Sequence, residues 1–245
     1  ATSLVIEAWS DEATFYLWNG AEYELKDGGE SFSASDLRFR DPWPNPQAMI
    51  ERMHRMGIKL VLWQIPALKQ LEEGEHCPQH DRDDAFALEQ GFVVENADGT
   101  PYQIPRQWFI GAHVPDFTVP ELCSWWMEKR RYLLEMGVDG FKTDGGEFMH
   151  DLSVRFHNGQ SAVTMRNRYV ADYEAAYTRA IGTNRTLFSR AGYLGAQQTP
   201  IHWAGDQVSS FEEMRSVLGA GLSLGLSGVP FWSFDIGGFA GPLPS

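Results

Sequence analysis

The chain has 245 residues, 43% hydrophobic and 22% charged, so it is long and apolar enough to bury the core of one sizeable globular domain. Its formal net charge of -13 is spread along the sequence, which argues against nucleic acid and anionic membrane surfaces as partners and favours a neutral or cationic ligand. The two cysteines, Cys77 and Cys123, are too few for a disulfide framework, and we expect a reducing, cytoplasmic location.

The N-terminal segment ATSLVIEAWSDE lacks the basic-then-apolar pattern of a signal peptide. No apolar run approaches the ~20 residues of a membrane span. The chain opens directly in a strand-like apolar segment, residues 3–9, which is too apolar to lie in solvent without other segments packed against it. We therefore expect no membrane partner and a piece of a longer protein.

Short apolar runs rich in β-branched and aromatic residues alternate with stretches of helical periodicity. The predicted strands are residues 3–9, 58–66, 138–144, 186–191, 199–203 and 229–235, and the predicted helices are residues 46–56, 119–136, 165–181 and 211–224. Proline near the first helical position, as at Pro46 and Pro120, is typical of a helix start. This alternation predicts parallel strands joined by crossover helices.

Two insertions interrupt the alternation, at residues 14–45 and 77–115, and the second contains a predicted hairpin turn at residues 96–100. Long loops at one end of a sheet usually serve a site. No glycine-rich phosphate loop follows any predicted strand, which favours a (β/α)8 TIM barrel over an open doubly wound sheet. We predict one α/β domain over residues 1–245, with six of the eight barrel strands.

Reactive side chains gather at the predicted carboxyl ends of the strands, where the mouth of a barrel would bring them together. They are Glu7, Trp9, Trp63, Lys142, Asp144, Arg190, Trp203, Asp206 and Asp235. Any one of them could equally be a strand cap or a salt-bridge partner, but the whole set is typical of a polar site. Paired carboxylates flanked by aromatic rings are what glycoside hydrolysis requires.

The segment DGFKTDGGE at residues 139–147 resembles the nucleophile strand of glycoside hydrolase family 31, the family of α-glucosidases and α-xylosidases. Three more segments resemble the next strand motifs of that family in the same order: FSRAGYLGAQ at 188–197, PIHWAGD at 200–206 and FWSFDIGGF at 231–239. Looser matches extend back through LVLWQIP at 60–66 and LVIEAW at 4–9. The resemblance thus covers strands two to seven of the barrel.

The resemblance implies a retaining α-glycosidase with Asp144 as the nucleophile and Asp206 as the acid/base. It also implies a sugar subsite lined by Glu7, Trp63, Lys142, Arg190, Trp203 and Asp235, where Glu7 replaces the aspartate common in the family. The expected substrate is an oligosaccharide or α-glucoside with terminal α-linked glucose or xylose, and no cofactor or metal is expected. Asp206 must hold a proton, and we expect Trp203 to give it an apolar setting.

Family members usually carry β-domains around the barrel and an eighth strand with a sugar-binding histidine. The sequence is therefore similar to part of a larger multidomain enzyme, and we expect low activity or none from this piece in isolation. Three alternatives stay open: an α-transglucosylase, in which a second sugar replaces water; an α-glucan lyase; and a catalytically incomplete carbohydrate-binding fragment.

Three weaker signals have two interpretations each. His76, Cys77 and His80 could hold a metal or form a loop at the rim of the site, and Pro78 favours the loop because it interrupts a helix. Glu147 is either a hydrogen-bonding partner of the site or a loop residue. The acidic, aromatic segment 22–43 either shapes the site for the leaving sugar or is a surface loop.

Overall fold

The strands and helices follow the predicted alternation in a computed structural model, which describes residues 2–199 and 201–242. The strands are β1 Ser3–Ile6, β2 Glu22–Tyr23, β3 Leu37–Arg38, β4 Lys59–Gln64, β5 Gly140–Thr143, β6 Thr186–Ser189, β7 Ile201–Trp203 and β8 Trp232–Ser233. The helices are α1 Pro46–Arg55, α2 Pro78–Glu89, α3 Pro120–Glu128, α4 Arg131–Glu135, α5 Ala162–Ile181 and α6 Phe211–Leu226.

Six strands form one parallel sheet in the order β1-β4-β5-β6-β7-β8, and β2 pairs with β3 in a separate antiparallel ribbon. Each strand of the main sheet lies beside the next one along the chain, as in a (β/α)8 barrel. Within the described residues, β1 and β8 each pair with one strand only. The prediction of an incomplete barrel is confirmed: the sheet is an open part of one.

The register of the sheet aligns the residues that precede the site. Trp63 in β4 lies opposite Lys142 in β5, and Thr143 lies opposite Ser189 in β6. Because the strands are parallel, their carboxyl ends open at the same edge, and the segments that follow them emerge side by side. The residues that follow β4, β5, β6 and β7 therefore lie close together at this edge.

The predicted element boundaries need correction at several points. The strands are shorter than predicted, so that Glu7 and Trp9 lie beyond β1, and the predicted helix 119–136 is divided into α3 and α4. Helix α2 was not predicted, because Pro78 suggests an interruption. Pro78 instead lies in the first turn of α2, where backbone N–H groups have no partner within the helix, so the missing N–H of proline costs nothing. Of the predicted strand 199–203, Pro200 falls outside the described residues.

The first insertion is part of the core. Trp18 and Phe32 are buried in the main hydrophobic cluster, and Gly28 O accepts a 2.8 Å hydrogen bond from the indole of Trp125 in α3. Burial of two large aromatic side chains stabilises the fold by several kcal/mol, about 1.5–3 for each side chain. Phe32 therefore anchors the segment 22–43 to the core, although most residues of the segment are exposed, and the segment lines no part of the pocket described below.

A buried ion pair links α2 to α3. Lys129 Nζ lies 3.0 Å from Asp83 Oδ1, and Asp83 also accepts hydrogen bonds from the Tyr16 hydroxyl (2.7 Å) and the Gln79 amide (2.9 Å). Burial lowers the pKa of Lys129, although the charge of Asp83 opposes this effect. Both charged side chains are almost completely removed from solvent. The pair is therefore tolerable only because each member compensates the other.

We expect Asp83→Asn to lower the free energy of unfolding by about 3–5 kcal/mol, because it leaves the Lys129 ammonium buried without a counterion. Urea denaturation followed by circular dichroism measures this. The matched control is Glu128→Gln, at the residue before Lys129, which removes an exposed pair with Arg131 and should cost no more than about 1 kcal/mol. Equal losses in the two variants would contradict the assignment of a buried, compensated pair.

Candidate active site

A pocket of about 720 Å³ lies at the carboxyl ends of the sheet strands. Its wall includes five of the residues predicted from strand ends: Glu7, Trp63, Lys142, Asp144 and Asp206. Aromatic side chains line it as well, and it has the size and mixed polarity of a small-molecule site. The expectation that strand-end residues converge on one mouth holds for these five.

Asp144 is held rigidly at the base of this pocket. Its Oδ2 accepts a 2.8 Å hydrogen bond from Trp63 Nε1, and its Oδ1 accepts one of 2.8 Å from the backbone N–H of Gly145. The residue is 7% exposed. Gly145 has φ +69°, a conformation that favours glycine, and a Cβ there would lie 2.6 Å from Ile65 Cδ1. The turn at Gly145 holds Oδ1 of the carboxylate, and Trp63 holds Oδ2.

Arg190, which follows β6, lies between three carboxylates. Its Nε is 3.1 Å from Asp144 Oδ1, its Nη1 is 3.6 Å from Asp206 Oδ2, and its Nη2 donates a 3.2 Å hydrogen bond to Glu147 Oε2. Burial works to lower the pKa of Arg190, but the charges of Asp144, Glu147 and Asp206 outweigh it and the pKa is raised. The guanidinium therefore stays charged, and its positive charge interacts with both Asp144 and Asp206.

Lys142 also lines the pocket. Its ammonium group pairs with the carboxylate of Glu7 and lies 4.4 Å from the ring centroid of Trp203. Trp203 is buried and packs against Phe188, with ring centroids 4.9 Å apart. A cation over a tryptophan face is attracted to the ring electrons. Trp203 thus lies beneath Lys142, outside the pocket lining, and fixes the position of that ammonium group.

The apolar setting expected for Asp206 is not what the structure shows. The Asp206 side chain is 49% exposed, and its charged neighbour is Arg190 at 3.6 Å. The ring contacts of Trp203 are to Lys142 and Phe188. The expectation failed because it took proximity in sequence for proximity in space: Asp206 lies three residues beyond β7, past Gly205, and turns toward Arg190.

The site also contains aromatic side chains that the sequence reasoning missed. Trp108 packs on Trp63 and on Phe109, with centroids 5.9 and 4.9 Å apart, and its ring faces the Arg190 guanidinium at 5.4 Å. Gln107 and Phe109 both have positive φ, 72° and 58°, which costs non-glycine residues about 1–3 kcal/mol each. This strained stretch of the 77–115 insertion presents Trp108, 41% exposed, to the pocket.

Asp235 does not join the other predicted site residues. It is exposed and lines a separate pocket with Phe211, Met214 and Ile236 beside helix α6. Its backbone carbonyl accepts hydrogen bonds from the Gln207 side chain and from the N–H of Gly238. Glu147, in contrast, contacts Arg190 directly, which favours the interpretation of Glu147 as a hydrogen-bonding partner of the site.

The weaker signal at residues 76–80 has a structural explanation. His80 Nε2 lies 2.6 Å from the carbonyl oxygen of Lys69, and Cys77 Sγ lies 3.7 Å from Asp11 Oδ2. Within the described ranges 2–199 and 201–242, no group of three or more His, Cys, Asp and Glu side chains is placed to hold a metal. None of the helices in this part of the chain combines the length and apolar character needed to cross a bilayer.

A buried carboxyl group lies behind the site on helix α5. Glu174 is 4% exposed, and its Oε2 accepts a 2.6 Å hydrogen bond from the Thr199 hydroxyl. Burial raises the pKa of Glu174 from 4.5 to about 7, although the hydrogen bonds from Thr199 and Ser189 oppose the rise. The Ser189 hydroxyl also bonds that of Thr143, which precedes Asp144. The group thus connects to the strand that carries Asp144.

Glu174 should make stability depend on pH. Between about pH 4.5 and pH 7 the folded chain holds this proton and the unfolded chain does not, so stability falls as pH rises, by up to about 3 kcal/mol. Glu174→Gln carries no such proton. The free energy of unfolding of this variant minus that of the natural chain should therefore be more favourable by about 3 kcal/mol at pH 8 than at pH 4.5. Urea denaturation at both values tests this, with the exposed Glu89→Gln as control. A pH-independent difference would contradict it.

Comparison with known proteins agrees with the fold. The sequence profile described as "Glycosyl hydrolases family 31 TIM-barrel domain" matches residues 16–245. The chain therefore belongs to glycosyl hydrolase family 31, as its strand motifs indicated.

Its similarity to individual relatives extends over nearly the whole chain. It is 42% identical to an isomaltosyltransferase of Sporosarcina globispora and 40% identical to a 1,3-alpha-isomaltosidase of Kribbella flavida, over 100% and 99% of its length. It spans only 23% and 34% of those two proteins. An alpha-xylosidase of Emericella nidulans is 33% identical over 88% of the chain and 27% of the relative.

A solved structure matches equally well. The cycloalternan-degrading enzyme from Trueperella pyogenes, in complex with a covalent intermediate, aligns with a TM-score of 0.93 at 37% identity, over 100% of this chain and 34% of that one. The two chains therefore share one fold over the length of this chain.

Proposed function

We propose that this chain is the catalytic barrel of a retaining α-glycosidase, with Asp144 as nucleophile and Asp206 as acid/base. The observation that carries the proposal is the environment of Asp144: two donors at 2.8 Å and the Arg190 guanidinium stabilise its carboxylate anion in a pocket that Asp206 also lines. The covalent intermediate named for the Trueperella enzyme supports the same route.

The chemistry proceeds in two displacements. Asp144 attacks the anomeric carbon and forms a glycosyl ester, while Asp206 gives its proton to the departing glycosidic oxygen. Asp206, now a base, takes a proton from water or from a sugar hydroxyl, which attacks the same carbon and releases Asp144. Two inversions leave the product in the original α configuration. The half-exposed position of Asp206 suits a group that exchanges protons with an incoming acceptor.

The remaining wall of the pocket suits a neutral sugar. Glu7 and Lys142 present an acceptor and donors for hydroxyl groups, and Trp63 and Trp108 present aromatic surface for the apolar face of a ring. These residues come from four separate segments of the chain. Their variety is typical of recognition by several hydroxyls, each with its own partner.

We infer that the donor is a glucose-based oligosaccharide with an isomaltosyl unit, and that xylosides are poorer substrates. The support is the higher identity to relatives named for isomaltosyl chemistry, at 42% and 40%, than to the alpha-xylosidase at 33%. The same observation favours transfer as the second candidate function, since the 42% identical relative is named a transferase. Hydrolysis and transfer share the glycosyl-Asp144 step and differ only in the acceptor.

The test is incubation of the chain with isomaltotriose, an α-1,3-linked isomaltosyl oligosaccharide and an α-xyloside in ¹⁸O-labelled water. Products are then identified by mass spectrometry. Hydrolysis gives a free sugar that carries ¹⁸O, whereas transfer gives longer oligosaccharides without it. Cleavage of the xyloside alone would overturn the substrate proposal. Binding of the sugars without any product, by a folded chain, would favour the carbohydrate-binding alternative.

A further inference from the structure

A second pocket, of about 380 Å³, adjoins the proposed active site and shares Gln107 with it. Its polar lining consists of Arg106, Gln107, Glu147, His150, Arg166 and Asn167. These residues come from the strained loop before Trp108, from the segment after β5 and from the second turn of α5. Glu147 connects the two pockets, since its carboxylate bonds Arg190, which in turn contacts Asp144.

The charges of this pocket are opposite to those of the molecule. No carboxylate of residues 2–199 or 201–242 lies within 4.0 Å of Arg106 or Arg166, although the chain carries 33 acidic residues and a net charge of -13. The acid in the lining, Glu147, pairs with Arg190 at 3.2 Å, a guanidinium that it shares with Asp144 and Asp206. Two exposed arginine side chains therefore line one pocket with no carboxylate of the described residues within ion-pair distance.

His150 reports the convergence of these charges. It is half-buried at the pocket wall. Burial is the main cause that lowers its pKa, and the positive charges of Arg106 and Arg166 lower it further. Its backbone is fixed by a 3.1 Å hydrogen bond to the Tyr102 hydroxyl, and that hydroxyl donates to Phe148 O at 2.8 Å. The backbone of His150 is thus anchored at the pocket wall.

We propose that this pocket binds a tetrahedral oxyanion, such as a phosphate, sulfate or sulfonate group. Guanidinium groups bind such anions through paired hydrogen bonds, and the Asn167 and Gln107 amides supply further neutral donors. The adjoining active site suggests that the anion is a substituent of a glycan bound there. That last step rests on the proposed function, whereas anion binding itself does not.

Calorimetry and NMR with inorganic phosphate test the binding site directly, without turnover. In the natural chain, phosphate should raise the pKa of His150, because it neutralises Arg106 and Arg166. Arg106→Gln or Arg166→Gln should each weaken phosphate binding by about tenfold, since each removes a hydrogen bond to a charged group. Arg166→Lys, which keeps the charge, should lose less.

The matched control is Arg168→Gln, on the same helix but paired with Asp172 outside this pocket, and it should bind phosphate as the natural chain does. Circular dichroism confirms that each variant is folded. No response of His150 to phosphate, or equal weakening by Arg168→Gln and Arg166→Gln, would overturn the proposal.

The source of the anion is tested by measuring the affinities of glucose 6-phosphate, glucose and inorganic phosphate for the natural chain. If the two pockets serve one ligand, glucose 6-phosphate should bind at least about tenfold more tightly than phosphate, and Lys142→Met, a change in the sugar pocket, should abolish the gain. Equal affinity for phosphate and glucose 6-phosphate would overturn the glycan source and leave a free anion. Neither result depends on whether Asp144 forms a covalent intermediate.

Discussion

Asp144→Asn should lower kcat/KM for an α-glucoside by at least about 10⁴-fold, because the amide cannot form the glycosyl ester and the two-step route is lost. The substitution also sets an NH₂ group or a weaker acceptor against Trp63 Nε1, which donates to Asp144 Oδ2 at 2.8 Å. Initial rates on a chromogenic α-glucoside measure the effect. Asp172→Asn, on helix α5 outside the pocket, is the control and should change the rate less than about threefold.

Azide distinguishes a lost nucleophile from a damaged fold. In Asp144→Gly, azide can enter the vacated space and attack an α-glucosyl substrate in one inversion, so the product is the β-glucosyl azide. Proton NMR identifies the anomer. Formation of the α-glucosyl azide, or a loss of activity in Asp144→Asn no greater than in the Asp172→Asn control, would contradict the assignment of Asp144.

Asp206→Ala should lower kcat/KM for isomaltose by about 10²–10⁴-fold, the usual contribution of a general acid. The loss should be much smaller for α-glucosyl fluoride, whose leaving group departs without a proton. With the fluoride, the glycosyl enzyme should accumulate, because Asp206 is no longer present to activate water. Comparison of the two substrates measures the role of Asp206 independently of sugar binding, since both place the same glucose in the pocket.

Azide gives the opposite anomer in this variant. It attacks the glycosyl enzyme in the second inversion, so Asp206→Ala should yield the α-glucosyl azide and recover part of its rate. Equal losses on isomaltose and on the fluoride would show that Asp206 binds or positions the sugar, with the acid in another residue.

The position of the site at the mouth of the barrel could be predicted from the sequence. Glu7, Trp63, Lys142 and Asp144 follow or end parallel strands, and parallel strands open at one edge whatever their side chains are. Local patterning therefore suffices for these residues. The strand motifs added the roles of the carboxylates, which periodicity alone leaves open.

The interactions between segments could not be predicted in this way. Arg190 contacts Asp144, Glu147 and Asp206 because the segments after β5 and β7 both converge on it, a tertiary arrangement with no sequence period. Trp108 enters the pocket from a loop whose backbone departs from regular structure at Gln107.

Two further expectations, for Asp235 and for the segment 22–43, depended on which residues are exposed, and the sequence alone does not show this. Asp235 follows a strand of only two residues, β8, and faces helix α6, because a strand that short does little to direct the segment after it. The segment 22–43 has the polar composition of a surface loop and is mostly exposed, yet Phe32 is buried in the hydrophobic core. Its aromatic residues were the signal that it packs against the core.

The covalent step itself is the most direct test of the account. The chain is incubated with 5-fluoro-α-glucosyl fluoride, weighed intact, and digested so that any adduct can be mapped by peptide mass spectrometry. We expect one fluoroglucosyl unit per chain, attached to Asp144, and none in Asp144→Asn. A label on another residue would contradict the assignment of Asp144 as the nucleophile, and no label on a chain that circular dichroism shows to be folded would contradict the proposal that this barrel is catalytic.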